Sequence, residues 1–305
     1  MWRVGSRRGP TGTAMRWSFG RRIAMLALGA SSLASAALPG IDARAAPAEP
    51  PTPALRVVAL APALAELVDQ AGGGDRLVGI STATGGLARA GRVAIVASPG
   101  RIDLERLVSL EPDLVLYWPS GNPLAALERL RRLHIPTLGY EPHRLSDVAG
   151  FVRTLGDVLD TREAAAASAG RFERELAVLP VARGEPSVFI AVSQEPLYTV
   201  GGHHLVSDVV RRCGGRNVFD DLPVPAATVS AETLYARRPD FILAAATPDR
   251  RSVVRAEWNR YALLPAVSEG RVAVVDSRAL YDQSLDVADA VRAVCRALVE
   301  AFGER

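Results

Sequence analysis

Two cysteines in 305 residues are too few for a cysteine-ligated metal centre or a disulfide-dense scaffold. Histidine is equally scarce: His134, His143, His203 and His204 are the full set. The adjacent pair His203-His204, set at a helix start, diverges by about 100° and does not chelate one ion from a single face. No metal or resident cofactor is expected. Aromatic residues make up 6% of the chain and nowhere interleave with a basic cluster, which removes nucleic acid as a partner. Lysine is absent, and all 36 basic residues are arginine, for which the sequence offers no physical reason. A Ser–His–Asp set can be composed on paper from Ser207, His203 and Asp208, but no nucleophile-elbow sequence supports it, so no enzyme is expected.

What is present begins with a leader. Residues 1–45 carry seven arginines and one acid, Asp42, and without them 29 arginines face 32 acidic residues, turning a formal charge of +3 into −3. Met15 offers a second start to a short positive stretch ending at Arg21-Arg22. A run of about fifteen small, mostly apolar residues follows, then an Ala43-Arg44-Ala45 cleavage site. That run is short for a membrane span. It reads as a secretory signal, and Arg21-Arg22 resembles a twin-arginine pair although the residues after it fit that pattern poorly. No cysteine adjoins the cleavage site, so no lipid anchor is expected. Export to a periplasm follows, with residues 47–53 as a loose mature start.

The mature chain is organised around a helix-then-strand unit that occurs twice. Residues 103–118 and 230–245 align without a gap and match at Glu105/Glu232, Leu107/Leu234, Pro112/Pro239, Asp113/Asp240 and Leu116/Leu243. Asp103 and Ser230 are good N-caps, and Glu105 and Glu232 fall in the first turn, where the helix dipole favours a carboxylate. Each helix stops at Pro-Asp and a buried strand follows. Units this far apart mark two related lobes, not a solenoid.

Strands are expected at residues 56–61, 77–80, 93–96, 114–118 and 135–140 in a first lobe, residues 54–143. A second lobe, residues 186–305, has strands at 187–192 and 272–275, helices at 205–213 and 286–301, and a loop at 193–204. Between the lobes, residues 144–180 carry one long helical pattern with Val148, Val152, Leu155, Phe172 and Leu176 on its apolar face and a place for a kink at Asp160-Thr161-Arg162. Strands alternating with helices imply an α/β fold: two Rossmann-like lobes with parallel sheets, joined by a connecting helix, the ligand lying beyond the carboxyl ends of the strands. A spine of that kind limits hinge motion.

Residues 60–66 (Leu-Ala-Pro-Ala…Glu), the unit at 103–116, Trp118-Pro-Ser-Gly-Asn122 and Val200-Gly-Gly-His-His…Cys213-Gly-Gly-Arg-Asn-Val-Phe219 together resemble the long-helix periplasmic binding proteins, nearest the cobalamin-binding branch. The resemblance spans roughly residues 55–300. It implies a small-molecule ligand, cobalamin or a related corrinoid, with haem or a ferric siderophore as the alternative; a periplasmic hydrolase is the remote alternative from another class. It also implies delivery to an ABC permease dimer with its ATPase subunits, probed by Glu105 and Glu232 as docking carboxylates. Two cysteines in an exported chain read as a disulfide, and Cys213 and Cys295 match the positions of one in those relatives. Thr82, Trp118, Asn122, Tyr198, His203, Arg278 and Tyr281 are the candidate ligand contacts. Several pocket aromatics of that branch fall at Ala83, Pro99, Val192 and Ala226, so the cleft is expected to be less aromatic.

Overall fold

The computed structural model describes residues 55–82 and 93–305; the leader and residue Ala83 lie outside the described residues. The first lobe runs β1 (Val57–Ala59), α1 (Pro62–Gln70), β2 (Leu77–Ser81), β3 (Ala94–Ser98), β4 (Arg101–Ile102), α2 (Leu104–Ser109), β5 (Leu114–Tyr117), α3 (Leu124–Arg132) and β6 (Thr137–Gly139). The connector holds α4 (Leu145–Val158) and α5 (Arg162–Ala177). The second lobe follows with β7 (Ser187–Ala191), β8 (Ser193–Gln194), β9 (Leu197–Val200), α6 (Leu205–Arg212), β10 (Arg216–Asn217), β11 (Ala226–Thr228) and α7 (Ala231–Arg237). It ends with β12 (Phe241–Ala246), α8 (Arg251–Glu257), α9 (Pro265–Ser268), β13 (Val272–Asp276), α10 (Ser277–Leu280) and α11 (Val287–Phe302).

The first sheet has the order β4-β3-β2-β1-β5-β6 and the second β10-β7-β12-β13. The series β2-β1-β5-β6 and β10-β7-β12-β13 are therefore the same arrangement, parallel throughout. Within these two sheets only β4 runs antiparallel, at an edge. The expected two-lobe α/β architecture is what the chain forms.

The repeated Pro-Asp has a structural role in each lobe. Asp113 accepts the Arg56 backbone N–H at 2.7 Å, and Asp240 accepts that of Ser187 at 2.9 Å and its hydroxyl at 2.6 Å. Each carboxylate thus fixes the start of its lobe's central strand. The residue before each Pro, Glu111 and Arg238, adopts positive φ (44° and 46°), which turns the chain out of the helix into the strand.

Two expectations are corrected. The connector is not one helix. Asp160 at φ 53° reverses the chain between α4 and α5, and the Arg153 guanidinium grips Glu173 of α5 through two bonds of 2.8 and 2.7 Å. In a continuous helix those residues would stand about 30 Å apart. The two helices touch at Gly156, where a Cβ would lie 2.4 Å from that of Ala165. The kink expected at residues 160–162 is a full hairpin turn. The segment read as a loop, 193–204, contains a strand pair: β8 and β9 form a three-stranded antiparallel sheet with β11. Pro196 sits in the turn between β8 and β9.

Alternating residues of the central strands enter different cores. Val57 and Ala59 of β1, Val188 and Ile190 of β7, and Phe241 and Leu243 of β12 share one buried cluster with Val148, Val152, Phe172 and Leu176 of the connector. Val58, Leu107 and Val115 form a separate outer core in the first lobe. Phe189, Ile242 and Trp258 do so in the second. The inner faces of both lobes are thus joined through the helical hairpin.

Cys213, at the end of α6, is bonded to Cys295 of α11, with Cα atoms 4.6 Å apart and both residues fully buried. It closes a loop of 82 positions within the second lobe. Replacing both cysteines with alanine is expected to lower unfolding stability by up to about 4 kcal/mol in the chain-entropy picture. Denaturant unfolding of the two proteins measures this, and equal midpoints would show that packing alone holds α6 against α11.

Candidate ligand cleft

Tyr140, one residue beyond β6, donates its hydroxyl to the carbonyl of Gln283 at 2.5 Å. Gln283 lies in the segment after β13 and α10, so the carboxyl edges of the two sheets approach one another along this seam. The loops that follow β1, β2, β5 and β7 end on the same edges, as in other open α/β sheets with a ligand crevice.

Trp118 leaves the end of β5 with 36% of its surface exposed. Its ring lies flat on Gly121, where a Cβ would stand 1.9 Å from ring carbon Cε3, so only glycine fits there. Asn122 ties this loop down. Its Oδ1 accepts the Trp118 backbone N–H at 2.7 Å and its Nδ2 donates to the Leu60 carbonyl at 3.2 Å. Both ends of the amide are occupied in tying the loop after β5 to the loop after β1, which leaves Asn122 a positioning residue for Trp118.

Tyr198 stands on β9 opposite Ser193 and Thr228, 36% exposed. Its neighbours Leu197 and Thr199 are buried, as strand alternation requires. Tyr281, at the end of α10, is 37% exposed, and desolvation pushes its phenol up to about 12, so it remains a proton donor at neutral pH. Thr82 is exposed at the end of β2, its backbone N–H given to Ala97 at 2.8 Å. Val192 and Ala226, two of the positions with reduced aromatic character, are half-buried, and Pro99 is exposed.

The seven candidates do not share one cavity. His203 lines a depression of about 400 Å³ with His143 and Arg144. Arg278 lines a larger one, about 570 Å³, that follows the free edge of β13 past Asp276 and Asp282 to Glu300 of α11. Neither contains Trp118, Tyr198 or Tyr281. Each of the three rings has about a third of its surface exposed.

The seam beside the cleft was not anticipated. Gln70 of α1 donates to Asp286 at 3.1 Å and accepts the Leu285 N–H at 3.1 Å. One turn earlier Glu66 faces Asp282, the buried Ser284 and Asp286; desolvation and then those two carboxylates raise its pKa from 4.5 to about 7. Asp286 is raised as well, by burial first and then by Asp282 and Asp289. A Glu and a Gln one turn apart in the mostly apolar helix Pro62–Gln70 was the available signal.

Glu105 and Glu232 are exposed in the first turns of α2 and α7, and the caps are as expected: Asp103 accepts from Arg106 N–H at 3.0 Å and Ser230 from Thr233 N–H at 3.2 Å. The Ser230 hydroxyl also lowers the pKa of Glu232.

Two lobes of like topology joined along a seam of hydrogen bonds have the architecture of a bilobed solute-binding protein. Residues 57–279 match the family described as periplasmic binding protein, and the chain belongs to that family. It is 34% identical over 222 residues to vitamin B12-binding proteins of Yersinia pestis (strain Pestoides F) and Yersinia pseudotuberculosis (strain YPIII), covering 72% of this chain and 79% of each relative. The crystal structure of the periplasmic vitamin B12 binding protein BtuF of Vibrio cholerae superposes with a TM-score of 0.71 at 28% identity, covering 82% of this chain and 98% of that one. The periplasmic haem-binding protein BhuT, in complex with two haems, gives 0.68 at 24% identity, over 81% and 98%, a likeness of fold. The family and these relatives are binding proteins, and membership implies a small-molecule ligand and an ABC transporter as partner.

The seam predicts a pH effect of defined sign. Between 4.5 and about 7 folded Glu66 holds a proton that the unfolded chain releases, so stability falls as pH rises through that window. Glu66→Gln removes the loss. Because Glu66 is half-exposed, the gain at about pH 8 is expected to be on the order of 1 kcal/mol, with none near pH 4.5. Thermal unfolding across pH measures it; a gain of equal size at both ends would contradict the assignment.

Proposed function

We propose that this protein is the periplasmic solute-binding component of an ABC import system and that its ligand is cobalamin or a related corrinoid. The observation that carries this reading is the 34% identity to vitamin B12-binding proteins over 222 residues, a span that includes the bulk of both lobes. Three half-exposed rings, Trp118, Tyr198 and Tyr281, suit a large flat macrocycle, which is held by apolar contact with a few oriented polar groups. Thr82, His203 and Arg278 are the polar side chains assigned to its periphery, and Asn122 holds the Trp118 loop.

On this reading residues 1–45 are the export signal and are removed in the mature protein. Glu105 and Glu232, one on each lobe at topologically equivalent helix starts, dock the loaded protein on the two permease subunits, whose ATPases drive import. Opposite charge on the permease would set encounter and register more than affinity.

Trp118→Ala is expected to weaken cobalamin binding by about tenfold or more, the loss of stacking and buried area from one ring, while leaving the melting temperature unchanged. Calorimetric titration with cobalamin, with haem and a ferric siderophore as competitors, is the measurement. Micromolar binding of a competitor with no response to cobalamin would retire the corrinoid. The double change Glu105→Arg and Glu232→Arg is expected to abolish uptake and leave affinity in solution unchanged. A collapse of affinity would place those carboxylates in the ligand site.

A further inference from the structure

The two central strands of the second lobe separate at their carboxyl ends. The β7–β12 ladder closes with the Ala191–Ala244 pair, whereas β12 runs on beside β13 to Ala246. The Val192 N–H turns away to the Tyr198 carbonyl at 2.9 Å, and the chain passes into β8 and β9. Where the strands part lies a cavity of about 260 Å³, lined by the small side chains of Ala191, Ala244 and Ala245 and by Val254 of α8. Ser193 lines it too and is the cross-strand partner of Tyr198, which sets their Cβ atoms about 5 Å apart. The cavity therefore lies beside one of the exposed rings, at the strand ends where open α/β sheets take their ligands.

Gln194 gives this cavity an unmatched polar group. Its Nε2 donates to the Val254 carbonyl at 3.1 Å, which orients the amide, since that carbonyl needs a donor. Its Oε1 is shielded from solvent and has no hydrogen-bond partner among the described residues. A buried acceptor left unpaired is unfavourable, so a donor brought in by a ligand gains by meeting it. The charges around the cavity are matched. Arg260, in the turn after α8, is bonded to Glu195, and Glu257 has Arg250 at 3.9 Å. Two carboxylates against two guanidinium groups favour neither an anion nor a cation. Arg260 commits one nitrogen to Glu195 and retains N–H donors on the others.

We propose that this cavity is the subsite for a primary carboxamide arm of the ligand, its N–H donating to Gln194 Oε1 and its oxygen accepting from Arg260. A neutral group with a donor and an acceptor on one carbon matches that pair. A hydroxyl alone would leave most of the space empty. Volume sets the scale: about 260 Å³ is below the roughly 300–1,000 Å³ of sites that enclose a whole drug-sized ligand, so the cavity takes an arm and not a macrocycle. The inference rests on the corrinoid reading, because a corrin carries primary amide arms around its rim, whereas haem carries carboxylates.

The test is calorimetric titration of the chain without its leader. The ligands are cobalamin and derivatives in which one peripheral amide at a time is hydrolysed to the carboxylate. One derivative is expected to bind about tenfold more weakly than cobalamin, because its arm has lost the donor and sets a carboxylate against Oε1. The others should bind as cobalamin does. Gln194→Leu is expected to weaken cobalamin by about tenfold and not to weaken that one derivative. Arg260→Met, at an exposed side chain, is the second variant should Gln194→Leu disturb α8, with about a threefold loss for cobalamin. Cobalamin affinity indifferent to both changes overturns the proposal alone. An equal loss for cobalamin and every derivative also overturns it, since Gln194 would then be only a support for α8. No binding of cobalamin by the unaltered protein overturns the corrinoid reading and this inference with it.

Discussion

The inner core shared by both lobes is the constraint on which the rest of the molecule depends. Val57 and Ala59 of one sheet and Val188, Ile190 and Leu243 of the other are packed into the same cluster as the apolar stripe of the α4–α5 hairpin. Separating the lobes would expose that cluster, and at about 25 cal/mol per Å² even a modest opening is costly. The cleft is therefore held near one width. Ligand must be matched by contact on its rim, with small adjustments, in place of wide hinge closure.

That rigidity gives the surface features a fixed frame. Asp113 and Asp240 pin the central strands, the caps Asp103 and Ser230 start the preceding helices, and Glu105 and Glu232 come out at equivalent places on the two lobes. On the proposed docking role, a pair of carboxylates at a constant separation suits a two-subunit partner, because both contacts form only if the distance does not drift. The same frame keeps Trp118 available. Asn122 and the missing side chain of Gly121 hold its ring on the loop surface without burying it.

The seam carries the molecule's electrostatic tension. Glu66, Asp282 and Asp286 are held near one another at the seam that the Gln70 and Tyr140 hydrogen bonds close, where partial desolvation adds to their repulsion. A proton on Glu66 relieves the repulsion. The arrangement couples lobe contact to pH in the range where an exposed glutamate would be uniformly ionised.

The linear sequence determined the features that rest on short-range rules. Caps, first-turn acids, Pro-Asp stops and apolar strand runs are local, so the repeated unit, the two α/β lobes and the exposure of Glu105 and Glu232 were legible from residue order. Tyr198, read in a loop, stands within β9, because its pairing with Ser193 and Thr228 is visible only in the folded sheet. Tertiary structure alone decided what depends on partners far along the chain. Residues 144–180 have one helical periodicity, and only packing of Ala165 on Gly156 and the Arg153–Glu173 pair folds them into a hairpin. Asn122 reads as a ligand group until Leu60, 62 positions away, takes its amide. Cys213 and Cys295 are separated by 82 positions and meet because α6 and α11 cover the same sheet. Glu66 is an ordinary helical acid until Asp282 and Asp286 face it, because desolvation and Coulomb repulsion are set by distance in space and not along the chain.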